Sequence, residues 1–179
     1  MVTANDDTLG GGTAGGAVFS GSRFSSTFRI NDGDGFRWDP YTYLQGGPSN
    51  GTSDAFDGAF RVEIDARTPS STLLQLSDDG RSTLFEPEEI GNIAFTRESW
   101  IPGDEPYMRL FDSYTNKGET TITVRLQYRT NLGSDGSTQV VATGDGDAVL
   151  TPSDSYLISD DYSNSGGDPR VAHIFGDGS

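Results

Sequence analysis

The side chains with the most chemistry to offer in this sequence are carboxylates set in turns. Asp32, Asp34 and Asp39 lie on and beside the run NDGDG at 31–35. Asp54 and Asp57 flank AF in a second polar segment, Asp145 and Asp147 alternate with glycine in TGDGD, and Asp160 and Asp161 are adjacent. Asn5, Asp6 and Asp7 form a further oxygen-bearing triplet near the start. Short carboxylates on tight loops are hard-oxygen ligands suited to Ca2+, so these residues are the expected metal ligands and Ca2+ the expected cofactor. The simpler alternative is that each set is a plain acidic turn. An EF-hand is excluded by spacing: with Gly35 at the sixth loop position, the first would be Ile30, which has no ligand oxygen.

Other reactive groups are scarce. His173 is the only histidine and there is no cysteine. Catalytic zinc prefers histidine ligands, and thiolate chemistry and disulfides are out of reach. His173 alternates with Ala172 and Ile174 in an expected strand, so a structural histidine is expected rather than a Ser-His-Asp triad, and no glycine-rich phosphate loop leads into a helix. Paired carboxylates for glycoside hydrolysis remain open, because acids are abundant everywhere. The expectation is a binding protein without enzymatic activity. Tyr41, Tyr43 and Asn50 in the long polar stretch 40–58, with Asn131, Ser134 and Asp135 in the turn 131–137, are the expected ligand-binding residues. Tyrosines beside amides and carboxylates suit a peptide or a sugar, although both tyrosines would serve equally well as caps on a core edge.

Charge narrows the partners. Twelve Lys and Arg against 27 Asp and Glu give a net charge of -15, and Lys117 is the only lysine. Such a surface repels nucleic acid and anionic membranes and attracts cations. Adaptation to salty water would produce the same total charge. No apolar run approaches membrane-spanning length.

These residues must be positioned by strands. With 24 glycines and 8 prolines the chain is rich in turns, and 10 Phe and 7 Tyr supply bulky core pieces. At 179 residues the chain suits one domain. From Ile122 to Tyr128 apolar residues alternate with polar ones, the period of a half-buried strand, and 138–143 is expected to return antiparallel to it as a hairpin. Phe60, Val62 and Ile64 mark an inward face over 59–67, as do Ile93, Phe95, Arg97 and Ser99 over 92–101. Phe24, Phe28 and Ile30 share a face in 17–30, and further strands are expected at 72–76, 82–85, 106–114, 148–150, 155–159 and 170–175. About a dozen short strands and no amphipathic helix predict an all-β antiparallel β-sandwich, jelly-roll or Ig-like, with long Ca2+-binding loops. Residues 1–16 are glycine-rich and read as a linker or the end of a preceding repeat; 17–176 form the domain.

The phrase VTANDD at 2–7 resembles the ends of Ig-like or cadherin-like repeats in large bacterial adhesins of the repeats-in-toxin (RTX) class. DAFDG (54–58), TRESWIP (96–102), MRLFDSYTNKGETTITV (108–124), NLGSDGST (131–138), TGDGD (143–147) and SDD (159–161) resemble phrases in the ligand-binding regions of marine RTX adhesins, over residues 54–175. That resemblance implies an extracellular Ca2+-dependent binding module within a long multidomain chain. It implies recognition of a peptide, or alternatively a glycan, on another cell surface. A spacer or accessory domain without a ligand is the competing reading.

Overall fold

A computed structural model describes residues 2–4, 16–23, 28–40, 58–130, 138–161 and 170–175, and of Val2–Ala4 and Asp161 the backbone only. The described chain is all-β and every strand pairing is antiparallel. In chain order the strands are β1 (Val2–Ala4), β2 (Ile30–Asn31), β3 (Arg37–Trp38), β4 (Arg61–Ile64), β5 (Leu74–Leu76), β6 (Ser82–Phe85) and β7 (Glu88–Ile90). They continue as β8 (Ile93–Trp100), β9 (Arg109–Asn116), β10 (Ile122–Val124), β11 (Leu126–Arg129), β12 (Thr138–Thr143), β13 (Tyr156–Asp161) and β14 (Val171–Ile174). No helix among the described residues is long and apolar enough to cross a membrane.

The spine is β8. One edge pairs with β9 along its whole length; the other pairs first with β7, through Ile93–Phe95, and then with β6, through Glu98–Trp100. With β5 beside β6, this makes a five-stranded sheet. Ile93, Phe95, Arg97 and Ser99 project from one face of β8 and all are buried, as the period of two requires. Ile93 and Phe95 pack with Leu74, Phe85, Ile90 and Tyr114 of the same sheet, and with Val62, Ile64 and Val124 from the β4–β11 and β1–β10 pairs. The larger core thus lies between the five-stranded sheet and those two pairs. Burying each such side chain contributes about 1.5–3 kcal/mol. A smaller cluster of Ile30, Trp38, Ala59, Ile101 and Val171 joins the β2–β3 hairpin to the ends of β8 and β14.

The β2–β3 hairpin is tied down at two places. Arg81 Nη1 donates to the Asn31 carbonyl at 2.7 Å and to that of Pro102 at 3.3 Å. Gly33 lies so close to the 103–104 turn that a Cβ there would fall 2.5 Å from Asp104 Cα.

Several local expectations change in three dimensions. The alternation from Ile122 to Tyr128 is real, but the strand divides at Arg125. Its N–H donates to Asp65 Oδ1 at 2.8 Å and its carbonyl accepts from Asp65 N at 2.9 Å. β10 therefore pairs with β1 and β11 with β4. The expected hairpin does not form among the described residues: β12 pairs with β13 instead. Val2–Ala4, expected as linker, is a strand against β10. The strand expected over 59–67 ends at Ile64, because Asp65 and Ala66 turn with φ of 48° and 62°. Residues 148–150 are not a strand, whereas Glu88–Ile90 is one, with Glu88 Oε2 accepting the Ser70 and Ser71 amides at 2.6 Å. Phe28 packs on the larger core while Ile30 belongs to the smaller one.

Candidate binding groove

Like most strands of the described fold, β9 and β14 have one partner each: β9 pairs with β8 and β14 with β13. Both line the same groove, of about 1180 Å³. Met108, Leu110 and Asp112 come from β9 and its lead-in, and Val171, Ala172, Ile174 and Phe175 from β14 and the residue after it. The β2–β3 hairpin adds Phe36 and Trp38, and the approach to β4 adds Ala59 and Phe60. Phe60 takes a φ of 51°, a left-handed conformation that costs a β-carbon-bearing residue about 1–3 kcal/mol. Its ring meets Phe175 edge-on at 6.3 Å. Ile174 and Phe175 are exposed large apolar residues at this edge.

Trp38 is held from behind. Its indole N–H donates to Asp32 Oδ2 at 2.7 Å, and the other oxygen of Asp32 accepts the amides of Asp34 and Phe36 at 3.0 and 2.9 Å. An aspartate that accepts from the main chain two and four residues on is a turn-former, which explains its place ahead of Gly33 and Gly35.

The polar part of the groove is built on directly paired residues of β8 and β9, Arg97 and Asp112. Arg97 Nε and Nη2 donate to Asp112 Oδ1 and Oδ2 at 2.6 and 2.7 Å. Their side chains are 2% and 8% exposed, so this is a buried ion pair rather than a surface one. Asp112 Oδ2 also accepts from the Tyr128 hydroxyl at 2.9 Å, and the Tyr128 and Tyr114 hydroxyls lie 2.7 Å apart. Burial would lower the Arg97 pKa, but the charge and hydrogen bonds of Asp112 outweigh it and hold the guanidinium above its ordinary value. Burial, and next the Asp112 charge, push the Tyr114 and Tyr128 hydroxyls well above 10. Arg97 and the two tyrosine hydroxyls thus keep their protons at neutral pH.

At the rim, Arg109 lies 5.8 Å from the ring centroids of Trp100 and Phe111 and 6.0 Å from that of Tyr107. Strand geometry explains the set: Phe111 is two residues on along β9, Tyr107 is two residues back in its lead-in, and Trp100 is the paired neighbour on β8.

The expected metal ligands are dispersed. Among the described residues no group of three or more His, Asp or Glu side chains is placed to hold a metal ion. Asp32 is taken by Trp38 and its own turn, and buried Asp39 faces Arg37 Nε at 3.5 Å. Asp160 Oδ2 accepts from Arg170 Nε at 2.8 Å. Asp145 and Asp147 each place Oδ1 3.0 Å from the Thr143 hydroxyl and accept nearby amides, while Asp154 caps the Thr151 amide at 2.7 Å. Asp34 joins the turn through its amide. Asn5, Asp6, Asp7, Asp54, Asp57 and the side chain of Asp161 lie outside the described residues, as do the expected ligand-binding residues Tyr41, Tyr43, Asn50, Asn131, Ser134 and Asp135. His173 is fully buried, with Nε2 3.3 Å from Ser159 Oγ.

None of the groove residues figured among the sequence-level ligand candidates. One signal was present: Arg97 occupies an inward position in a strand whose other inward residues are Ile93, Phe95 and Ser99. A charged residue at such a position requires a buried counter-charge. No family model, curated protein or solved structure matches this chain.

Proposed function

We propose that this chain is an extracellular ligand-binding module of a bacterial surface adhesin, and that its groove receives an extended peptide. The observation that carries the reading is the pair of singly paired sheet edges, β9 and β14, lining one apolar groove. A sheet edge presents unpaired N–H and C=O groups at the strand repeat, and an extended peptide satisfies them by adding a strand. Its alternate side chains then enter the groove, where Trp38, Phe60, Met108 and Ile174 offer apolar contact. The unpaired main-chain groups of the sheet edges favour a peptide over a glycan.

The finer architecture in this proposal is a β-sandwich of jelly-roll or Ig-like type with Ca2+-binding loops, set as a monomeric unit in a longer chain. The charge of -15 and the aspartate-bearing turns support the Ca2+ component. Asp32, Asp145, Asp147 and Asp160 are taken up by internal donors, so the ion falls to the remaining sequence candidates, Asn5, Asp6, Asp7, Asp34, Asp39, Asp54, Asp57 and Asp161. The adhesin setting rests on the resemblance of the short phrases.

The test is an array of peptides and an array of glycans probed with the labelled chain in Ca2+. Peptide binding is expected, with slowed amide exchange along β9 or β14 on saturation. Binding to glycans alone, or peptide binding that leaves both strands exchanging as before, would refute the groove.

A further inference from the structure

The grip of Arg97 on Asp112 is side-on. It uses Nε and Nη2, and the planar guanidinium therefore turns Nη1 away from the carboxylate. Nη1 is buried and has no hydrogen-bond acceptor among the described residues. Arg97 is also one of the residues lining the groove. A buried N–H donor without an acceptor is costly and rare in folded proteins, and a shift of the groove wall around Arg97 on binding lets a ligand oxygen reach it.

Resting on the reading of the groove as a peptide site, we infer that Arg97 Nη1 is its polar anchor and donates to an uncharged oxygen, a main-chain carbonyl or an Asn or Gln carboxamide, of the bound peptide. The neutrality follows from Asp112. That carboxylate already balances the guanidinium, so a ligand carboxylate would bring an unbalanced negative charge into apolar surroundings. The same residue argues against a sugar. Asp112 Oδ1 is used by Arg97 Nε, and Oδ2 by Arg97 Nη2 and the Tyr128 hydroxyl. Asp112 therefore has little acceptor capacity left for the hydroxyl protons of a glycan.

The experiment uses the whole chain and a displayed library of ten-residue peptides, with Ile174→Asp as the groove-blocked control. Selected binders are resynthesised as Asn/Asp and Gln/Glu pairs. For the contacting position the wild-type chain is expected to favour the carboxamide by about tenfold or more, the discrimination of a site built around one hydrogen bond. The preference should vanish in the double variant Arg97→Met, Asp112→Leu. Should that variant fail to fold, 15N-arginine spectra of the wild-type chain serve instead: saturating peptide should shift and sharpen the Arg97 Nη signals. A preference for the acid, or equal affinity within every pair together with unmoved Arg97 signals, would overturn the anchor and leave the groove standing. Selection of no peptide, or of peptides indifferent to Ile174→Asp, would overturn both.

Discussion

Arg97 and Asp112 stand directly opposite each other on β8 and β9 and close two hydrogen bonds, 2.6 and 2.7 Å long, inside the protein. Removing one partner leaves the other charge buried alone. Asp112→Asn should therefore lower the unfolding free energy by about 3–5 kcal/mol. Replacing both residues by apolar ones removes that penalty, so Arg97→Met with Asp112→Leu should lie much closer to wild type. Urea unfolding of the three proteins measures the difference; equal stability of Asp112→Asn and wild type would contradict the buried-pair geometry.

Alkaline stability follows from the same cluster. Tyr114 and Tyr128 have hydroxyl pKa values raised in the fold, chiefly by burial and then by Asp112. Above pH 10 the unfolded chain loses these protons while the folded chain keeps them. Their contribution is therefore complete below pH 10 and declines as pH rises beyond it. Tyrosinate absorbance should rise in two stages, with these two tyrosines ionising only as the fold is lost. Tyr128→Phe should weaken the second stage. A single smooth titration of all tyrosines in a folded chain would count against this.

Acid acts through the turns. Asp79 is held below its ordinary 3.8 first by the Ser77 hydroxyl and then by the Arg81 amide, and Asp154 first by the Thr151 amide. Lowered carboxylate pKa values add stability that is present above the unfolded value and disappears as pH falls through the folded one. Melting temperature should thus drop below about pH 4. Asp79→Asn and Asp154→Asn should each flatten that acid limb, with little effect on its alkaline counterpart. Differential scanning calorimetry across pH 2–8 reads both.

Ca2+ is expected to raise the melting temperature and a chelator to lower it. Asp54→Asn and Asp6→Asn should each reduce the Ca2+-dependent increment. Superimposable melting curves with and without chelator would remove the metal from the proposal and leave the groove untouched.

Gly33 offers a mechanical test of how the groove is held. A Cβ at this position would sit 2.5 Å from Asp104 Cα and 2.7 Å from the Gly103 carbonyl oxygen, and backbone has to move to admit it. Gly33→Ala should cost about 1–3 kcal/mol, as overpacking does. It should also weaken peptide binding by shifting Phe36 and Trp38. Unchanged thermal unfolding would show that the hairpin and the 103–104 turn do not touch as described.

The strand content was readable from residue types because side chains on a strand alternate by a fixed geometry. Ile93, Phe95, Arg97 and Ser99 were assigned to one face, and they are buried together. Partners were not readable in this way. Ile122 to Tyr128 has an unbroken alternation, yet Asp65 clamps Arg125 and sends the two halves to different strands, a contact across 60 positions. Aspartates proved equally ambiguous. A carboxylate in a turn accepts a main-chain N–H, an indole N–H or a cation with the same oxygens, and the indole reaching Asp32 belongs to a residue six positions on.

The sequence by itself thus determined an all-β, turn-rich, strongly acidic chain without thiol chemistry, since period, composition and charge are local or additive properties. The tertiary structure alone decided that β9 and β14 share a groove and that Arg97 finds Asp112 while keeping one nitrogen unbonded. Those facts depend on which edges meet in space, and short-range alternation carries no information about that.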